Sequence, residues 1–145
     1  MEGMSKIVKT VTGLLSGAVF IYGLYIITHG HLTPGGGFAG GALVAGSFIL
    51  LILAYGSDIL RLKKEETESS ITESSAILIV LILAAIGMFA GGTAFMNNYL
   101  QLGKVGELIS AGVIPLYNLF VGMEVASALL TIFLALVIYK KEVLK

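Results

Sequence analysis

The sequence predicts an all-α integral membrane protein, a bundle of four transmembrane helices in a single domain over residues 1–145. Apolar residues make up 57% of the chain, and charged residues only 12%. Soluble domains average about 45–50% apolar and about 25% charged residues, and a chain this short cannot bury such a surplus in its own core. The sequence also contains four apolar stretches close to the roughly 20 residues that a spanning helix requires. The apolar surface must therefore face lipid or other proteins.

The first two predicted helices cover about residues 10–28 and 34–55. Lys9 precedes the first apolar stretch, and His29 follows it. In the second, Thr33 is placed to act as the N-cap. Pro34 suits the first helical position, because the amide proton that it lacks would have no partner there. The residues from His29 to Thr33 then form a short turn between the two helices.

The third predicted helix covers about residues 76–96, and the fourth about residues 115–139. Residues 76–96 carry no charge, whereas residues 108–139 carry only Glu124 and exceed the length of one perpendicular span. Pro115 therefore marks the expected start of the fourth helix. Residues 97–114 are then a loop, with a short surface or re-entrant helix as an open alternative. The charged, Ser/Thr-rich residues 57–75 are predicted to form a solvated cytoplasmic linker.

The basic residues predict the orientation, because cytoplasmic segments of membrane proteins carry an excess of Lys and Arg. Four helices place both termini and residues 57–75 on one side of the membrane. Eight basic residues fall on that side, and only Lys104 falls on the other. We therefore expect a multi-pass protein of the cell membrane with both termini cytoplasmic. The eight residues are Lys6, Lys9, Arg61, Lys63, Lys64, Lys140, Lys141 and Lys145.

Glycines at four-residue spacing predict close helix packing. The chain has 19 glycines, and each glycine in a helix costs about 1 kcal/mol relative to alanine. Helices in lipid associate through close contacts that small residues allow, so this density predicts compensating contacts. We expect some of these contacts to be with other subunits; packing only within the chain is the alternative. The candidates are Gly13, Gly17, Gly36, Gly37, Gly40, Gly41, Gly87 and Gly91.

Glu124 is the only acidic residue inside a predicted span. Helical spacing places Tyr117, Ser127 and Thr131 on its face, which gives an otherwise apolar helix a polar stripe. A charge at mid-membrane costs several kcal/mol, so the stripe should face the bundle interior, a partner or water. Glu124 is either an ion-path carboxylate that exchanges a proton or cation, or a neutral, hydrogen-bonded group that ties the helix to a neighbour. Asn118 lies off this face and is expected to donate an interhelical hydrogen bond.

His29 and His31 lie at the predicted outer edge of the membrane. They are candidates for a proton relay. A metal site would need further ligands, and the chain has no cysteine.

Residues 34–37 lack the ending of a phosphate-binding loop, and no metalloprotease motif or catalytic triad order occurs. We therefore expect no cofactor, metal or enzymatic activity in the chain itself, and its zero net charge does not indicate nucleic-acid binding.

The run from His29 to Gly41, HGHLTPGGGFAGG, closely resembles the signature of the MrpB/MnhB family, a family of small subunits of multisubunit Na⁺/H⁺ antiporters. The resemblance implies a small non-catalytic subunit of an Mrp-type module that helps to form a sodium/proton path, with other small and large subunits as partners. Related modules occur in respiratory complexes such as membrane-bound hydrogenases. Asn118 stands roughly where stand-alone antiporter subunits often carry an aspartate, which favours a respiratory complex as the host.

Two other functions remain open from the sequence. The chain could be a self-sufficient, homo-oligomeric small cation transporter that uses Glu124 as its coupling carboxylate. It could also be a membrane enzyme with a metal held by His29 and His31. The sequence alone does not distinguish Na⁺ from H⁺, because sites for both ions use carboxylates and hydroxyls.

Overall fold

The computed structural model describes residues 4–56, 62–91 and 94–143, and this described part contains four helices and no strand. Helix α1 covers Lys6–Thr28, α2 covers Gly36–Tyr55, α3 covers Leu62–Gly91 and α4 covers Ile114–Val143. Each helix is long and apolar enough to cross a membrane. The predicted all-α fold with four spans is confirmed.

The helices pack in the spatial order α1, α2, α4, α3. Helix α2 packs against both α1 and α4, and α4 packs against α2 and α3, with a minor contact to α1. Among the described helices, α3 contacts only α4. Helix α4 therefore joins the α1–α2 pair to α3.

Helix α1 begins four residues before its predicted start, because Ser5 provides an N-cap. The Ser5 hydroxyl accepts a hydrogen bond from the amide of Val8 at 3.5 Å, which satisfies one of the free amides of the first turn. The same end of α1 is joined to the end of α2, where the Tyr55 hydroxyl donates to the carbonyl of Lys9 at 3.3 Å.

Helix α2 begins at Gly36 and not at Pro34 as predicted. Gly35 is the N-cap with φ 132°, and Gly36 has φ 67°. Both values lie in the left-handed region that glycine adopts without steric cost. Thr33, the predicted N-cap, instead donates its hydroxyl to the carbonyl of His29 at 3.2 Å. The two glycines therefore redirect the chain into α2 after a turn that is bonded to the end of α1.

Helix α3 differs most from the prediction. It begins at Leu62, so residues 62–75 of the predicted linker are helical, while residues 57–61 lie outside the described part. The polar side chains support this helix: Lys64 pairs with Glu68 at 3.4 Å, and the Thr72 and Ser75 hydroxyls donate to carbonyls of their own helix. The 30 residues of α3 rise about 45 Å, which exceeds a hydrocarbon thickness of about 30 Å.

Helix α3 ends at Gly91, before the predicted end at Met96, and residues 94–113 form a loop without helix. Met96 has φ 62°, and its amide donates to the carbonyl of Ala84 at 3.3 Å, so the chain turns back along α3. Gly87 permits this approach, since a Cβ there would lie 2.5 Å from the Asn97 carbonyl oxygen. We call residues 94–113 the re-entrant loop.

Helix α4 begins one residue before Pro115 and continues past its predicted end at residue 139 to Val143. Its C-terminal half packs against α2, where Leu134 is fully buried against Ile52. The basic residues after Tyr139 therefore extend the helix and do not end it.

Candidate functional site

The backbones of α2 and α4 are in direct contact. A Cβ added at Gly41 would lie 2.5 Å from the carbonyl oxygen of Gly122 and 3.0 Å from the Cβ of Val125. Gly37 lies in the same way against the backbone of Asn118 and Gly122. Sequence reasoning did not single out Gly122, although a glycine within an apolar span is itself a signal of close helix packing.

A second face of α2 makes an equally close contact with α1. A Cβ at Gly40 would lie 2.7 Å from the carbonyl oxygen of Gly23, and a Cβ at Gly23 would lie 3.0 Å from that of Gly40. The glycines of α2 therefore form close contacts with two other helices of the same chain, α1 and α4. Gly36, at the start of the helix, lies beside the Asn118 side chain.

Gly13 and Gly17 of α1 and the two glycines near the end of α3 have different surroundings. A Cβ at Gly17 would have no described atom within 4 Å, and one at Gly13 would meet only the Tyr55 hydroxyl at 3.5 Å. The packing of Gly91 lies outside the described part of the chain. Gly87 lies against the re-entrant loop.

Asn118 joins α4 to the N-terminus of α2. The amide of Gly37 donates to Asn118 Oδ1 at 3.4 Å. Because Gly35 has no side chain to cap its own helix, Asn118 supplies a side-chain acceptor from another helix. The bond is interhelical, as expected, but Asn118 accepts it and does not donate. Its Nδ2 is buried beside Gly30 without a hydrogen-bond partner among the described residues.

Glu124 lies deep within its span. Residues 114–124 rise about 15 Å along α4, half of a hydrocarbon layer of about 30 Å. The side chain is half-buried and makes no hydrogen bond or ion pair with any described residue. Two residues along a helix correspond to about 200° of rotation, so Glu124 points away from the face where Gly122 meets α2.

The polar stripe meets α3 at the backbone carbonyl of Ser127. The carbonyl of Ser127 accepts hydrogen bonds from the Thr131 hydroxyl of its own helix and from the Ser69 hydroxyl of α3, each at 2.9 Å. Ser69 is only 8% exposed. Sequence reasoning missed Ser69 because it assigned residues 57–75 to a solvated linker.

A cleft on α4 separates α3 from the α1–α2 pair and contains two cavities. The first, of about 220 Å³, is mainly lined by apolar side chains, among them Leu24, Val44 and Phe48. The second, of about 300 Å³, is lined partly by oxygen-bearing side chains, the kind of ligand that hard cations prefer. The described residues contain no group of three or more His, Cys, Asp and Glu that could hold a metal ion. The polar lining of the second cavity consists of Glu65, Glu68, Ser69, Thr72 and Ser127.

The two histidines make separate contacts at the end of the bundle where α1 ends and α4 begins. The His29 ring stacks on Tyr25 with 4.2 Å between ring centres, and its Nδ1 lies 3.2 Å from the Tyr25 carbonyl. His31 Nε2 lies 3.4 Å from the Glu107 carbonyl in the re-entrant loop. Both histidines are therefore about half a span away from Glu124.

The same end of the bundle contains polar atoms that lack partners. The Tyr117 hydroxyl, His31 Nδ1 and Asn118 Nδ2 are buried without a hydrogen-bond partner in the described part of the chain. Buried polar atoms that lack a partner in their own chain usually bond to water or to another molecule. Tyr117, which sequence reasoning placed on the stripe with Glu124, lies in the first turn of α4, at the helix end.

Comparison with known proteins identifies similar membrane proteins. Residues 7–131 match a family described as a domain related to the MnhB subunit of Na⁺/H⁺ antiporter. The chain is 33% identical to the B-type subunit of a Na⁺/H⁺ antiporter of Bacillus subtilis over 124 residues, 81% of this chain and 85% of that protein. It is 35% identical over 133 residues to an uncharacterized protein of Methanocaldococcus jannaschii, covering 88% of this chain and 50% of that protein.

A solved structure shares both fold and sequence with this chain. It is a chain of the membrane-bound sulfane sulfur reductase (MBS), an archaeal respiratory membrane complex, with a TM-score of 0.69 and 30% identity. The match covers 91% of this chain and 60% of that chain. The present chain therefore spans only part of the length of the MBS chain and of the Methanocaldococcus jannaschii relative.

Proposed function

The chain belongs to the MnhB family, and we propose that it is a small non-catalytic subunit of an Mrp-type Na⁺/H⁺ antiporter module in a multisubunit membrane complex. The Bacillus subtilis relative is named as a subunit of a Na⁺/H⁺ antiporter. The similarity to a chain of an archaeal respiratory membrane complex supports a respiratory complex as the host. The excess of basic residues on one side supports an orientation with both termini cytoplasmic.

The proposal that the chain contributes to an ion path rests on the unpaired carboxyl group of Glu124. An isolated acid near the middle of a membrane is costly, and such residues usually mark ion or proton pathways. Within the described residues, Glu124 has no partner that would offset this cost. Ser127 and Thr131 follow on the same side of α4, and Ser127 lines both cavities beside α3. We infer that Glu124 exchanges a proton or Na⁺ together with groups from neighbouring subunits.

The histidines and Tyr117 would act at the other end of the same path. His31 Nδ1 and the Tyr117 hydroxyl are buried and unpartnered among the described residues, so both could bond to water that carries a proton. His29 is bonded to the last turn of α1 and would orient that turn. The relatives named as antiporter subunits give no support to a self-sufficient transporter, in which Glu124 would act without other subunits.

The test is the Glu124→Gln variant in the intact complex. Gln keeps the size and hydrogen-bonding capacity of the side chain but cannot exchange a proton. We expect the tagged variant to co-purify with the same subunits as the wild-type chain, and Na⁺/H⁺ exchange in inverted membrane vesicles to be largely lost. Glu66→Gln is the matched control, because Glu66 lies on the polar first part of α3 and lines neither cavity of the cleft.

Two results would contradict the role of Glu124. Unchanged exchange in the Glu124→Gln vesicles would remove Glu124 from the path. Loss of the other subunits from the purified Glu124→Gln sample would show that the carboxyl group ties helices together and does not exchange an ion. A wild-type chain that purified as a uniform assembly of itself alone would contradict the assignment as a subunit.

A further inference from the structure

Part of the re-entrant loop lies at membrane depth without being helical. The Met96 amide bonds to the carbonyl of Ala84, and the Asn97 backbone lies against Gly87. Residues 84–91 of α3 rise about 10 Å, so this segment lies about that far inside the end of the helix. Irregular backbone at such depth does not occur in contact with lipid, because its polar groups would lack partners there.

The outer surface of this loop is apolar. Phe95 and Met96, the residues beside the helix, are more than half exposed. Further along, Val105 is fully exposed and Ile109 is 89% exposed. Leu100, Leu102 and Leu108 are also exposed, and the charges among residues 94–113 are Lys104 and Glu107.

Internal bonds hold the loop in a defined shape. Asn98 Oδ1 accepts hydrogen bonds from the amides of Leu100 and Val113, at 3.3 Å and 3.1 Å. The amide of Ala111 donates to the carbonyl of Leu102 at 2.8 Å. Ala111 has φ 64°, an unfavourable value for a residue with a side chain. The loop therefore keeps its apolar residues outside through specific contacts and does not collapse to bury them.

We propose that the re-entrant loop is a docking surface for another protein subunit of the complex, with Phe95, Met96, Val105 and Ile109 covered by an apolar, membrane-embedded surface of that subunit. For Phe95 and Met96, lipid is excluded as the main cover by the non-helical backbone at membrane depth. An aqueous cavity is disfavoured because the exposed side chains are apolar, and ordered exposed patches of this kind mark protein–protein contacts. The inference rests on the proposed function only in that the chain has partner subunits.

The test places a photoreactive amino acid on the loop of the whole complex. p-Benzoylphenylalanine replaces Val105 in one tagged chain and Phe95 in another, both expressed with all the other subunits. Val105 is fully exposed, and Phe95, which is more than half exposed, keeps its aromatic ring in the replacement. Ile7, exposed at the opposite end of the bundle, is the matched control position.

Irradiation should give an ultraviolet-dependent adduct between the Val105 or Phe95 variant and a co-purifying subunit, identified by mass spectrometry. The paired substitution Val105→Asn and Ile109→Asn should release that subunit at a lower detergent concentration, whereas Ile7→Asn should not. The inference is overturned if the complex co-purifies intact and both loop positions label only lipid or nothing. If the wild-type chain co-purified with no other subunit, that result would contradict the proposed function, and the docking surface would be rejected for lack of a partner.

Discussion

Two pairs of glycines, Gly13 and Gly17 in α1 and Gly37 and Gly41 in α2, share the same four-residue spacing, yet the structure gives them opposite surroundings. Gly37 and Gly41 bring α2 against the backbone of α4, with distances that leave no space for a side chain. Gly13 and Gly17 have almost empty space around them within the described chain. The spacing therefore indicates that a helix can approach closely, but it does not indicate whether the partner belongs to the same chain.

Gly41→Leu should have the largest effect on the chain itself. Its Cβ would already lie 2.5 Å from the Gly122 carbonyl oxygen, so α2 and α4 must separate. We expect a loss of about 3 kcal/mol or more of unfolding free energy, at the upper end for overpacked sites. SDS-titrated unfolding in detergent micelles, followed by circular dichroism, measures it.

Gly17→Leu provides the matched control for this comparison. With no described atom within 4 Å of its Cβ position, the isolated chain should keep its stability or gain up to about 1 kcal/mol, because leucine favours a helix over glycine. Equal destabilisation of the isolated chain by both substitutions would remove the distinction between the two glycine pairs.

Asn118→Leu should have an intermediate effect. It removes the acceptor for the Gly37 amide, and a buried amide without a partner costs about 1–3 kcal/mol. Asn118→Asp keeps the acceptor oxygen beside the positive end of α2, so its stability should stay close to that of the wild type in the same unfolding assay. A Leu variant as stable as the Asp variant would show that the cap contributes nothing.

Ser69→Ala should have the smallest effect. It removes one hydrogen bond between α3 and α4, while the Ser127 carbonyl keeps its bond from Thr131. The expected loss of unfolding free energy is about 0.5–1.5 kcal/mol. Ser74→Ala is the control, since the exposed Ser74 hydroxyl bonds only to its own helix. If the two variants lost the same stability, the Ser69 bond would not hold α3 to α4.

The sequence was sufficient for the number of helices and their approximate positions, because apolar stretches of spanning length leave few alternatives. It misplaced the start of α3 because charge and hydroxyl content suggested a solvated linker. Serine and threonine hydroxyls, however, can bond to carbonyls of their own helix, and a Lys–Glu pair one turn apart supports helix formation. The start of α2 was displaced because Gly35 has φ 132°, which is not a helical value, so a helix cannot run through Gly35 from Pro34.

The candidate site was predictable only in part. The unusual position of Glu124 follows from its charge within an apolar stretch. The partners of the other polar residues depend on tertiary packing: Ser127 meets Ser69 across 58 positions in sequence, and Asn118 meets Gly37 across 81. Spacing along one helix assigns residues to a face, but it does not determine which element covers that face.

The spatial order of the helices has a consequence for the synthesis of the chain. Because α1 and α2 are neighbours in both sequence and space, they can pair as soon as the second has entered the bilayer. The third helix enters next but contacts only the fourth among the described helices. The third helix therefore lacks a helix partner from its own chain until the fourth has been synthesised. A chain truncated before residue 114 would contain the α1–α2 pair and a third helix that packs against neither of them.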